Sequence, residues 1–164
     1  MALGDLTFRN EIRPEDPERI EAILVSSGYF RADEVKVAVE LAGERLARGT
    51  ESGYEFLFAN LDGTTLAYSC FGLIPCTLHS YDLYWIATHG EFMHKGIGRI
   101  LLERTESAIA EMGGSGIYVE TSSQELYAPT RSFYLRNGYA EKARYEDFYD
   151  TGDDKIVYVK KLPL

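Results

Sequence analysis

A chain of 164 residues is the length of one domain, 1–164, with room for a real core. Its 45% hydrophobic and 26% charged side chains are those of a globular protein, not of a disordered or fibrous one. With 17 basic against 26 acidic side chains the formal net charge is −9, which argues against a general nucleic-acid binder and suits a cationic amine substrate.

The start, Met-Ala-Leu-Gly-Asp, has neither the charged opening nor the apolar core of a signal peptide. No apolar run reaches the length of a membrane span. Alternation over Leu6–Ile12 predicts a first strand, ended by Pro14. A helix follows, with Asp16 as cap and Pro17 at its first position, stopping near Ser27-Gly28. A second helix is expected from Ala32 to Ala47, with Val35, Val37, Val39, Leu41 and Leu46 as its apolar positions and Gly49 as C-cap. Tyr54–Asn60 and Thr65–Gly72 read as strands of a hairpin turned by Asp62-Gly63. Cys70 and Cys76 make neither a disulfide framework nor a zinc pattern, as expected of thiols in a reducing cytoplasm.

Past Pro75, Tyr81–Thr88 is a strand and Ile97–Met112 a helix whose apolar face is Ile97, Ile100, Leu101, Ala108 and Met112. Gly113-Gly114 closes it, and Ile117–Thr121 is a short central strand. A short helix, Ala128–Arg136, ends at Asn137-Gly138. Tyr139–Phe148, a turn at Thr151–Asp154 and the strand Lys155–Lys160 complete the chain. The order β α α β β β α β α β β predicts an α/β fold with helices on both sides of a mixed sheet.

The turn Met93-His94-Lys95-Gly96-Ile97-Gly98-Arg99 joins a strand to a helix. Glycines without Cβ atoms let backbone approach a ligand closely, and the helix start offers free N–H groups and a positive dipole end. A phosphate or pyrophosphate suits such a place, with Lys95 and Arg99 adding charge. A tight packing turn has the same letters. Leu101 stands where a dinucleotide fingerprint needs its third glycine, and no Gly-Lys-Ser/Thr phosphate loop is present.

The element order, with Met93–Gly98 lying on Gln/Arg-x-x-Gly-x-Gly/Ala, resembles the GNAT superfamily of acyl-CoA-dependent N-acyltransferases. Met93 departs from the usual Gln or Arg. A second match is Phe133-Tyr134-Leu135-Arg136-Asn137-Gly138-Tyr139, similar to the family's Phe/Leu-Tyr-x-x-x-Gly-Phe/Tyr. The Asn-x-x-Ala pattern ahead of that tyrosine is not kept, since Tyr127 and Thr130 stand there. The resemblance implies a mostly antiparallel sheet of about seven strands whose fourth splays from the fifth, and acetyl-CoA as acyl donor.

It also implies roles. Met93, His94, Lys95, Gly96, Ile97, Gly98 and Arg99 would bind the CoA pyrophosphate, mainly through backbone N–H groups. Ile86, Ala87 and Thr88 would meet the pantetheine arm and thioester, with a backbone N–H facing the oxyanion. Tyr134 matches the tyrosine that protonates the departing thiolate. Asp82, six residues before Thr88, stands at the position of the family's base. An alkyl amine of pKa about 10.4 arrives protonated and needs one. Glu120 and then His89 are the further candidates. Trp85 reads as core or acceptor-pocket wall. No metal is expected, because His79, His89 and His94 lack ligand spacing. The expected function is an N-acetyltransferase acting by direct attack in a ternary complex on a small-molecule or protein amine. A non-catalytic acyl-CoA-binding module is the alternative, and a homodimer is compatible with either.

Overall fold

The computed structural model describes residues 3–163. The hairpin at Asp62-Gly63 shows how local chemistry sets the first registers. Both residues have positive φ, 50° and 79°, as a type I′ turn requires. That turn joins β2 (Glu55–Leu61) to β3 (Thr64–Leu73) with Leu61 opposite Thr64. β1 (Thr7–Arg9) pairs with β2 on its far side. Then come α1 (Asp16–Ser27), α2 (Ala32–Arg48), β4 (Ser80–Thr88), α3 (Ile97–Glu111), β5 (Gly116–Ser122), α4 (Ala128–Arg136), β6 (Ala140–Asp150) and β7 (Asp153–Lys161). The seven strands form one sheet in the order β1-β2-β3-β4-β5-β7-β6. It is mostly antiparallel, with β4 and β5 parallel, and the α/β class matches the expectation. Among the described residues no helix is long and apolar enough to cross a membrane.

The chain divides into two compact units. The first runs to Gly72 and includes Trp85–Ser107; the second is Leu73–Tyr84 with the chain from Ala108 onward. In the first, Phe56, Phe58 and Tyr68 stack across β2 and β3. Ile20, Ile23 and Leu24 of α1 are buried with Val35, Ala38 and Ala42 of α2. The expected apolar face of α2 was rotated: Val37 and Leu46 are exposed. The two alanines let the face pack closely, and an alanine gives no strong apolar signal in a sequence. In α3 the buried set is Ile97, Leu101, Leu102, Thr105 and Ile109, while Met112 lies beyond the helix and is exposed. Thr105 is tolerated there because its hydroxyl bonds Leu101 O and meets Ser69 Oγ at 2.7 Å.

Two further expectations are corrected. The first strand shrinks from Leu6–Ile12 to Thr7–Arg9, which pair with Asn60, Ala59 and Phe58 of β2. Asp16 is not the cap of α1 but its first residue, after Glu15. Its carboxylate turns inward instead, fully buried, and accepts two hydrogen bonds from the Arg9 guanidinium at 2.6 and 2.7 Å and one from Arg13 N at 2.7 Å. Arg9 also lies over the Phe58 ring, 4.2 Å from its centroid. In the second unit β5 is central between β4 and β7, and β6 is an edge strand, exposed along almost its whole length.

A buried ion pair is costly to break, because the survivor is left charged and unpaired. Asp16→Ala is expected to lose about 3–5 kcal/mol of stability, read from urea midpoints. A loss under about 1 kcal/mol would mean that water replaces the pair.

Candidate active site

The turn between β4 and α3 is built from strained backbone. His94 has a φ of 63° and Gly96 one of 83°, so the chain passes through left-handed conformations on both sides of Lys95. Met93 is extended and half-buried, whereas His94, Lys95 and Gly96 are exposed. α3 then begins at Ile97, whose side chain is buried and anchors the helix start. Ile100 N is the first group to bond back, to Gly96 O at 3.3 Å. The N–H groups of Ile97, Gly98 and Arg99 in the turn before it are those that an α-helix leaves without intrahelical acceptors. They form a cluster of donors suited to an anion such as a phosphate. The Arg99 side chain is turned along the helix to Glu103, 3.1 Å away. Both are well exposed, so the pair is weak and gives way easily.

Behind this turn, Ser26 Oγ at the end of α1 accepts from Gly90 N at 2.9 Å. A Cβ at position 90 would sit 2.4 Å from Ser26 O, so only glycine fits. Phe30, between α1 and α2, packs edge-on against Trp85 with centroids 5.4 Å apart. Trp85 is thus a packing residue of β4. Farther along the strand, Ala87 is buried and Ile86 and Thr88 are half-buried. His89 is committed to local structure: its backbone N bonds Leu66 O at 2.8 Å and its Nδ1 accepts from Glu91 N at 3.2 Å.

In the second unit, β4 and β5 pair in parallel over Ser80↔Gly116, Tyr81↔Ile117 and Asp82↔Tyr118. Asp82↔Tyr118 is the pair nearest the C-terminal half of β4 among these described ones. β5 continues to pair with β7 as far as Ser122↔Lys155. Register decides the faces. Asp82 sits level with Tyr118, and Glu120 is two residues farther on the same face; Lys155 belongs to that face too. Ile117, Val119, Ile156 and Tyr158 take the other.

Asp82 is only half-exposed, and that burial pushes its carboxyl up to about 6 from the ordinary 3.8. The Glu120 charge pushes in the same direction, while a hydrogen bond from Tyr84 and the charge of Lys155 pull back. Glu120 is itself exposed and bonds Lys155 Nζ at 3.0 Å. Sequence reasoning named the two carboxylates and missed Tyr84 and Lys155. Alternation already put Lys155 and Ile156 on opposite faces, but the register that sets Lys155 beside Glu120 depends on β5 and β7 meeting.

Tyr134 lies on the opposite face of this unit. Its ring meets Tyr139 at 5.4 Å, Phe133 at 5.5 Å and Tyr158 at 6.2 Å. It is buried, and desolvation pushes its phenol well above the usual tyrosine range. α4 is held at its entrance by Arg131, which donates to Ser122 O at 2.9 Å and Gln124 O at 2.7 Å. Buried Asp153 accepts from Ser123 N at 3.3 Å and from Ser122 Oγ, which fixes the end of β5.

The model of the acetyltransferase (GNAT) domain matches residues 52–141, more than half of the chain. No functionally curated protein matches the sequence. A solved structure from Desulfovibrio desulfuricans, assigned to the acetyltransferases of the GNAT family, is 40% identical. It superposes with a TM-score of 0.93 over 95% of this chain and 98% of that one. The PaiA N-acetyltransferase of Thermoplasma acidophilum, solved with coenzyme A, is 19% identical, with a TM-score of 0.75 over 99% of this chain and 100% of that one. A GNAT acetyltransferase of Elizabethkingia anophelis with acetyl-CoA bound is 15% identical, with a TM-score of 0.69 over 96% and 99%. The last two share the fold; the family model and the 40% identity over nearly the whole length go further, and by them this chain belongs to the GNAT acetyltransferase family.

Proposed function

We propose that the protein is an N-acetyltransferase that moves the acetyl group of acetyl-CoA onto a primary amine by direct attack. The observation that carries this reading is the half-buried carboxylate of Asp82, level with Tyr118 and on the face of Glu120. Family membership and the coenzyme A or acetyl-CoA complexes of proteins with this fold support the choice of donor. The reading takes the whole chain as one acyltransferase domain, for which the 95% and 98% coverage speaks. It is assigned to the cytoplasm, in keeping with the free thiols of Cys70 and Cys76.

In this reading the N–H groups of Ile97, Gly98 and Arg99 hold the pyrophosphate, with Met93, His94, Lys95 and Gly96 shaping the turn. Ile86, Ala87 and Thr88 run beside the thioester arm. The acceptor, an ammonium of pKa about 10.4 in water, gives a proton to Asp82. A carboxylate titrating at about 6 is still mostly ionised at neutral pH and holds a proton better than an ordinary Asp. The freed nitrogen bonds to the thioester carbon, and the tetrahedral adduct collapses with cleavage of the carbon–sulfur bond; the proton that the nitrogen then sheds passes to the sulfur, so that the products are the amide and the free thiol. Tyr134 donates to the departing thiolate. Burial keeps its phenol protonated at any working pH, so it serves as a hydrogen-bond donor that follows the developing charge.

Donor binding is tested by Gly98→Glu, which brings bulk and negative charge to the helix start. Calorimetry with acetyl-CoA should give no measurable binding while circular dichroism stays native; unchanged affinity removes the turn from the donor site. Tyr134→Phe keeps the ring and loses the donor, and turnover should fall about 10- to 1,000-fold with donor affinity unchanged. Equal turnover, with chemistry rate-limiting, would make Tyr134 a packing residue.

Asp82→Asn is followed over pH with the best acceptor from a panel of amines, polyamines, amino acids and peptides. Wild-type kcat/KM should fall as pH drops through about 6, where Asp82 takes up its proton. The Asn variant should be slow at neutral pH and climb toward the amine's own value of about 10.4. Stability has the opposite sign. The folded state binds this proton more tightly than the unfolded state, so the charge on Asp82 lowers stability progressively as pH rises from 3.8 toward about 6. The Asn variant should therefore match or exceed the wild-type Tm at pH 7. Parallel pH profiles of equal height would rule Asp82 out as the base.

A further inference from the structure

The carboxylate cluster holds a cation for which the reaction so far has no use. Lys155 Nζ lies 3.0 Å from Glu120 Oε1, 4.5 Å from the centroid of the Phe148 ring and 5.6 Å from that of Tyr145. Its side chain is 17% exposed, against 51% for Glu120. A lysine that only decorated a surface pair would swing freely and contribute little. This one is bracketed by two ring faces, which attract an ammonium electrostatically.

The bracket is built by the hairpin itself. Tyr145 stands directly opposite Lys155 in the β6–β7 ladder. Between Tyr145 and Asp150 the register shifts, and the extra length carries Phe148 back over the lysine. The bulge is stitched by Asp147, whose φ is 53°: its N–H donates to Asp154 Oδ1 at 3.0 Å, and its own Oδ1 accepts from Gly152 N at 2.7 Å. So an exposed edge strand, with Phe148 55% accessible, is held in one shape. Among the described residues, the titratable groups on this face are Asp82 and Tyr84 on β4, Tyr118 and Glu120 on β5, Tyr145 on β6 and Lys155 on β7, with Lys161 Nζ 3.5 Å from the Tyr118 hydroxyl.

Two carboxylates on one face compete for protons, and a cation placed against one of them settles which stays ionised and paired. We propose that Lys155, held by Tyr145 and Phe148, is a positioning residue that engages Glu120 and leaves Asp82 as the carboxylate that takes the acceptor's proton. The inference rests on the reading of Asp82 as base. In the transfer the ammonium's proton moves to an Asp82 oxygen, Glu120 stays ionised against Lys155, and Lys155 keeps all of its own protons.

The test has two separable readouts. The Asp82 carboxyl carbon is titrated by 13C NMR, with its signal assigned by its loss in Asp82→Asn, and the pH dependence of kcat/KM is measured with the acceptor of highest turnover in the panel above. In Lys155→Gln the Asp82 midpoint should rise by about half a pH unit or more, and the acid limb of kcat/KM should rise with it. Lys155→Arg should restore both. Phe148→Ala, which removes an exposed ring and no charge, should move the midpoint part of the way. An unmoved midpoint in folded Lys155→Gln overturns the role of Lys155, even where a depressed Asp82→Asn profile upholds the base. A wild-type profile in Asp82→Asn overturns the base assignment, and this inference with it.

Discussion

Among the described residues β4 and β5 pair in parallel at Ser80↔Gly116, Tyr81↔Ile117 and Asp82↔Tyr118. That register sets which side chains of the second unit share a face. On its other side β5 pairs with β7 to its last residue. Asp82 thereby stands on the face that carries Glu120. That position explains its state: enough burial to raise its proton affinity, enough opening for the charge to persist at neutral pH.

The same register divides labour between the two faces. Asp82, Glu120 and Lys155 share one, and the aromatic packing of Tyr134, Tyr139 and Tyr158 takes the other. On the charged face burial and the neighbouring Glu120 raise the proton affinity of Asp82 while Lys155 pulls back. On the aromatic face desolvation alone holds the Tyr134 phenol well above the usual tyrosine range. Charge repulsion between Asp82 and Glu120 is a cost that a stability-optimised face would avoid, and lysine pairing offsets it.

Local signals carried much of the fold. Asp62-Gly63 adopts the backbone its letters demand, and α4 has the bounds Ala128–Arg136 that the apolar run and Asn137-Gly138 suggested. Signals went astray where a residue's use is set by a distant neighbour. Asp16 has the chemistry of a cap, yet the part-buried guanidinium of Arg9, seven residues back on β1, claims it. Ala38 and Ala42 face the core of α2 because close packing favours small side chains there, while the valine and leucine expected in their place point outward. Arg99 rests on Glu103 one turn on, an exposed pair that its position in the sequence allows and does not require.

By itself the sequence determined the element order, the fold class and the turn at Gly96, while the choice of Asp82 and Tyr134 came from resemblance to a family pattern. Element order and turns are matters of periodicity and backbone freedom, which act within a few residues. Only the tertiary structure decided which strands meet and in what register. That placed Glu120 and Lys155 on the face of Asp82 and folded Phe148 over the lysine. Register slips by one residue exchange every side chain between faces, and no local signal in β5 or β7 specifies the partner strand. Proton affinities are decided at the same level, because burial and neighbouring charge exist only once the strands have come together.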